Sequence, residues 1–227
     1  VFVALRPDPL LLSHATSAPP ARTSRRHTLA AMWTHPQLRL ALQAMAGAQF
    51  TMTAVMVLTP VHMKLTGHGL TSVAQTMSIH IAGMYAFSPL VGMLVDRIGA
   101  RAVTLWGSGV LGASLIAAWF AGGDLLALNI ALFLLGLGWS RASVAGASLL
   151  TRTASADQRL AMQGTADTVT NLTAALAAGI AGPIMAVITY RGLAGMAALA
   201  LIPMVAAAWA TKTRMTTLSA SGQNGLP

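Results

Sequence analysis

The chain has 227 residues, 55% of them hydrophobic and 8% charged, and its mean hydropathy is +0.67. Soluble domains carry about a quarter charged residues, so this chain has too few to cover a globule of its size. Its net charge of +9 falls in gaps between apolar runs rather than on one polar face, which excludes nucleic acid as a partner and points to membrane topology. With no cysteine, disulfides, thiolate metal sites and cysteine nucleophiles are also excluded.

In chain order, Val1 to Leu5 followed by Arg6-Pro7-Asp8-Pro9 reads as the end of an apolar helix running into a loop. Residues 12–35 are rich in Ser, Thr, Ala, Pro and Arg and read as a flexible basic linker. The Arg-rich, acid-poor composition also fits a mitochondrial presequence, but Pro7, Pro9, Pro19 and Pro20 would break the amphipathic helix that needs. Six apolar segments then follow, at about 38–59, 72–95, 101–121, 125–150, 161–188 and 192–210. Each is long enough for a bilayer core of ~30 Å. None shows sustained period-2 alternation, so a β-barrel is not expected.

The first segment carries Met45, Gln49, Met52 and Met56 at helical spacing, and the second carries Met77, His80, Met84 and Ser88. Flexible, polarisable methionines with isolated hydrogen-bonding groups suit a cavity for apolar or amphipathic molecules; helix packing is the other use of such a stripe. Gln49 and His80 weigh towards the cavity, because an unpaired polar group in lipid is costly. Pro89 should kink the second helix. Gly136, Ser140, Ser143 and Ala147 in the fourth segment, and Ala175, Gly179 and Gly182 in the fifth, are small-residue rows that let helices approach closely. Pro183 and Pro203 should bend the last two helices.

Arg141 and Asp167 are the charges deepest in these segments, ~14 and ~16 Å from the same membrane face at 1.5 Å per residue. Asn171 and Gly164 extend the Asp167 face. Either the two charges form an ion pair that breaks during transport, or Asp167 carries a proton, or they statically lock two helices. Ser155 to Gln158 has the spacing of a capping box and should start the fifth helix. His62 and His68 lack the carboxylate or thiolate that a metal site needs. No nucleophile–base or phosphate-cradling constellation is present, so no enzymatic activity, metal or cofactor is expected.

Between the second and third segments stands GMLVDRIGAR, residues 92–101. It resembles the signature loop of major facilitator superfamily transporters, with Gly92, Asp96, Arg97, Gly99 and Arg101 matching and Ala100 departing where the family often has a basic residue. The glycines allow a tight reversal, and Asp96 can cap a helix or pair with Arg97 or Arg101. The resemblance implies an all-α integral membrane protein, a six-transmembrane-helix bundle that is half of a twelve-helix fold. Residues 1–37 would be the end of a preceding helix plus a basic cytoplasmic linker, 38–210 the C-terminal six-helix bundle, and 211–227 a cytoplasmic tail.

Basic residues crowd alternate loops: Arg6, Arg22, Arg25 and Arg26, then Arg97 and Arg101, then Arg152 and Arg159, then Lys212 and Arg214. The other loops hold only Lys64 and Arg191. Both termini are therefore expected in the cytoplasm. Abundant Ala and Arg in excess of Lys fit a GC-rich bacterium, hence a bacterial cytoplasmic membrane. The implied function is secondary transport of small solutes by alternating access, in the form of proton-coupled efflux of amphipathic compounds. The expected partners are the lipid bilayer, a small-molecule substrate, and the N-terminal six-helix half or a second copy. The alternative is a non-transporting six-helix membrane protein, either a truncated product or a scaffold that associates with another membrane subunit.

Overall fold

The structure, a computed structural model, describes residues 25–211, so the expectations for residues 1–24 and 212–227 lie outside it. The described chain is helical with no strand: α1 (Arg25–Thr34), α2 (Pro36–Met56), α3 (Thr59–Leu65), α4 (Leu70–Tyr85), α5 (Ser88–Ile98), α6 (Ala100–Ala121), α7 (Leu125–Thr153), α8 (Arg159–Leu199) and α9 (201–211). Five stretches are long and apolar enough to cross a membrane: Pro36–Leu65, Leu70–Ile98, Ala100–Ala121, Leu125–Thr153 and Arg159–Thr211.

The last of these has 53 residues, about 80 Å of helix against a bilayer core of ~30 Å, so it must cross twice. It is broken at Thr189, whose φ of 63° and ψ of 178° are not helical. Val169 and Thr173 before the break, and Ala200 and Pro203 after it, line one groove, which shows that the chain doubles back. The connections then gather at two ends. His62 meets Gly122, and Thr59 meets Tyr190. At the opposite end Asp96 pairs with Arg152, and the Arg101 Nε–H donates to Ala208 O at 2.6 Å. The fold is a six-crossing bundle.

Local chemistry explains the breaks. Pro60 and Pro89 have no N–H to offer the carbonyls of Met56 and Tyr85, so the first two crossings are each interrupted, at 57–58 and 86–87. Pro36 sits in the first turn of α2, where its missing N–H is harmless. Gly99, at φ 84°, lets α5 turn into α6 with no intervening loop. Asp124 caps α7 by accepting from Ala127 N at 2.7 Å. The expected capping box is not made. Ser155 to Gln158 forms a backbone turn, and no side chain caps α8.

α7 is the axis of the bundle. Its Leu128, Ala131, Leu132, Leu135 and Ala142 have no exposed surface. Its glycines set the spacing. A Cβ added at Gly136 would collide with His80 O of α4, and one at Gly146 would stand 2.7 Å from Met45 Cγ of α2. Outward, large apolar side chains such as Leu65, Phe120 and Val187 are exposed, as a lipid-facing surface requires.

Two further expectations are corrected. The described end of the basic linker is helical: α1 holds no proline, and its Met32 is buried with Leu38, Leu42, Leu150 and Met162. The row Ala175, Gly179 and Gly182 is exposed, and nothing lies within 4 Å of a Cβ built on either glycine. Of the row on α7, Gly136 and Ser140 are buried and Ser143 is partly buried, whereas Ala147 is exposed.

Candidate functional site

Trp139 organises a polar cluster inside the bundle. The indole N–H donates to Gln49 Oε1 of α2 at 2.8 Å, and the Gln49 amide nitrogen donates to Thr53 Oγ1 at 3.2 Å. The exposed Tyr85 ring of α4 meets Trp139 edge to face at 6.2 Å. Trp139 and Gln49 are both partly buried. Three crossings thus share one amphipathic surface of aromatic faces beside an amide that is hydrogen-bonded at both its oxygen and its nitrogen. Only Gln49 was expected from the sequence. Trp139 and Tyr85 had a usable signal, since an intramembrane Trp or Tyr carries a polar handle that needs a partner.

The methionine stripes lie along seams. Met52 and Met84 are buried in the core, Met56 and Met77 are partly buried against it, and Met45 fills the space over Gly146. Small residues on α7 draw α2 and α4 close, and flexible thioethers fill what remains. His80 has no exposed surface. Its Nδ1–H donates to Leu132 O at 2.8 Å, which leaves Nε2 as a buried acceptor without a partner.

Arg141 and Asp167 are not brought together. Arg141 faces α6: its Nη1 donates to Leu137 O at 2.9 Å, its guanidinium lies 4.5 Å from the centre of the Trp106 ring, and its buried Nε has no partner. Asp167 is exposed on α8, where the Asn171 amide donates to its backbone oxygen at 2.9 Å. Gln163, Asp167, Asn171, Ala175, Gly179 and Gly182 therefore form an uncovered polar and small-residue row along α8.

The signature loop makes cross-bundle contacts. Asp96 pairs with Arg152 at the end of α7, in place of the expected Arg97 or Arg101. Arg97 follows Asp96 by about 100° around α5, so the two point apart. Gly92 is open-sided, and Arg101 holds the last helix through Ala208 O. Among the described residues, Asp96–Arg152 is the one ion pair. At the far end, His62 hydrogen-bonds Gly122 O at 2.6 Å and stacks on buried Tyr190, while His68 bonds Gly123 O at 2.9 Å. These histidines fasten loops. Outside the crossings, Ser155 hydrogen-bonds the Asp157 carboxyl and holds its pKa below the usual carboxylate value.

The sequence profile of the Major Facilitator Superfamily matches residues 40–225. The chain belongs to this superfamily. It is 35% identical over 213 residues to YdeG, an uncharacterized MFS-type transporter of Bacillus subtilis (strain 168), covering 90% of this chain and 49% of the relative. It is 34% identical over 214 residues to YddS of the same organism, also an uncharacterized MFS-type transporter, with the same coverage. A riboflavin transporter of Brucella anthropi, RfnT, is 29% identical over 150 residues, 66% of this chain and 37% of that protein. The chain thus spans about half the length of the two Bacillus relatives. Superfamily membership accounts for the helical, multi-crossing fold.

Proposed function

We propose that the chain is one six-helix half of a secondary transporter that moves small solutes by alternating access, acting with a second six-helix half. The observation that carries this reading is the uncovered row on α8. Asp167 and Asn171 lie within an apolar crossing with no protein over them, and polar groups left facing hydrocarbon cost several kcal/mol each. A second half, whether part of the same polypeptide, a separate chain or another copy, would cover the row and leave water between the halves. The substrate then meets Tyr85, Trp139 and Gln49.

The specific form proposed is proton-driven efflux of amphipathic compounds. Asp167 is the candidate proton carrier because it is acidic, intramembrane and free of Arg141. The loop charge bias supports both termini in the cytoplasm, and the Ala- and Arg-rich composition supports a bacterial cytoplasmic membrane. The relative from Brucella anthropi adds riboflavin, an amphipathic solute, to the compounds worth testing.

Co-expression with a six-helix N-terminal half taken from the YdeG relative tests this. Abundance should rise, and vesicles should exchange protons for at least one amphipathic compound or riboflavin, read with a pH-sensitive dye. Transport by the purified chain shown to be monomeric would overturn the two-half reading.

A further inference from the structure

A second groove lies on another side of α2, away from Trp139. Gln43, Gly47 and Phe50 recur at i, i+4 and i+7 and share one helix face, roughly a third of a turn from Gln49 at 3.6 residues per turn. Opposite them stand Val169 and Thr173 of α8 and Ala200 and Pro203 at the α8–α9 junction, with Trp33 of α1 at the rim. The open groove has a volume of about 260 Å³, just below the range of roughly 300–1,000 Å³ typical of small-molecule pockets.

The groove follows from the sequence. Gly47 lets α2 approach so closely that a Cβ there would stand 3.0 Å from Ala200 O. Pro203 has no N–H for Leu199 O, and α8 ends at Leu199 with a tightened turn from Ala200 N to Ala197 O. Close contact at one point and a break beside it leave a hollow next to Ala46 and Phe50. Its lining is apolar apart from Gln43 and Thr173, and Thr173 already donates to Val169 O. Gln43 Oε1 is buried with no hydrogen-bond partner. The amide must turn to present that oxygen to the groove, and leaving it unmatched is costly.

We propose that this groove binds a small neutral amphiphile: an apolar body with a single hydroxyl or amide group, which Gln43 recognises. No charged residue lines the groove, which disfavours ions. An acyl chain alone would leave Gln43 unsatisfied, which disfavours ordinary lipid tails. The half-exposed Trp33 marks the entry side. The site is independent of the proposed transport path, because it requires neither Asp167 nor a second half.

Photolabelling of the full chain in detergent with a diazirine derivative of octanol tests it, with a diazirine octane as the hydroxyl-free control. The alcohol should label Phe50, Val169 or Thr173, and excess octanol should suppress that labelling. Gln43→Leu keeps the bulk but removes the hydrogen bond. It should weaken the alcohol about fivefold, the worth of one net hydrogen bond, and leave the octane unaffected. Ala46→Phe fills the hollow and should remove saturable labelling by both probes. Unchanged thermal unfolding of Gln43→Leu shows that the fold is intact. Labelling spread evenly over outward residues such as Leu172 and Leu176 would overturn the proposal. So would groove labelling that is indifferent to Gln43→Leu, or that phospholipid vesicles displace.

Discussion

His62 and Tyr190 lie ring on ring, 4.2 Å between centroids and 5° from parallel. They join the end of the first crossing to the turn between the fifth and sixth, which are 128 residues apart in sequence. Two hydrogen bonds frame the stack, from His62 to Gly122 O and between Thr59 Oγ1 and the Tyr190 hydroxyl.

Tyr190→Phe keeps the stack and loses one buried hydrogen bond, so it should cost about 1 kcal/mol. Tyr190→Ala deletes a nearly fully buried ring and should cost about 3–5 kcal/mol. Thermal unfolding in detergent reads both. Equal midpoints for the two variants would remove the stack from any role in stability.

Asp96→Asn should leave stability within about 1 kcal/mol, because the pair with Arg152 is well exposed on both sides. Transport by the assembled protein should nevertheless fall about fivefold or more, since that pair ties the signature loop to the end of α7. Exchanging the charges, Asp96→Arg with Arg152→Asp, should recover part of the loss. Normal transport by Asp96→Asn would make the pair dispensable.

Asp167→Asn should abolish uphill transport and permit downhill exchange, because the binding surface at Trp139 survives while the titratable group is gone. Neutralising Arg141 as well should not rescue it, since the two side chains do not meet. Rescue by the double variant would restore the ion-pair reading. Uphill transport by Asp167→Asn would remove it from coupling.

Single cysteines at Gly69 and Arg191 should react with membrane-impermeant thiol reagents added outside intact cells, and cysteines at Ala100 and Ala156 should not. Gly69 accepts a Cβ without contact, and Arg191 is exposed, so neither change disturbs packing. External labelling at Ala156 would reverse the orientation.

The six crossings were legible because polar breaks interrupt long apolar runs, and the Thr189 to Arg191 break is visible as such in the sequence. The partners of the polar groups were not. Asp96 finds Arg152 at a separation of 56 residues and Gln49 finds Trp139 at 90. Nothing local encodes which helix faces meet. The methionine stripes show the same limit, since a helical period is identical whether the face lines a cavity or packs on α7. α1 escaped notice because residues 12–35 as a whole are basic and proline-rich, although their last ten are free of proline. The groove at Gln43 depends on a hollow between Gly47 and Pro203, and those residues lie 156 positions apart.

Thr189 is the one non-glycine residue with positive φ among those described, in a region that glycine otherwise occupies almost alone. Holding a β-branched residue there costs of order 1–3 kcal/mol, which the turn does not recover by itself. Its neighbour Tyr190 supplies the compensation, through groups on the first crossing. The geometry of the last hairpin thus leans on an earlier part of the protein. A chain altered at Thr59 or His62 should therefore hold its last hairpin less firmly against the first crossing.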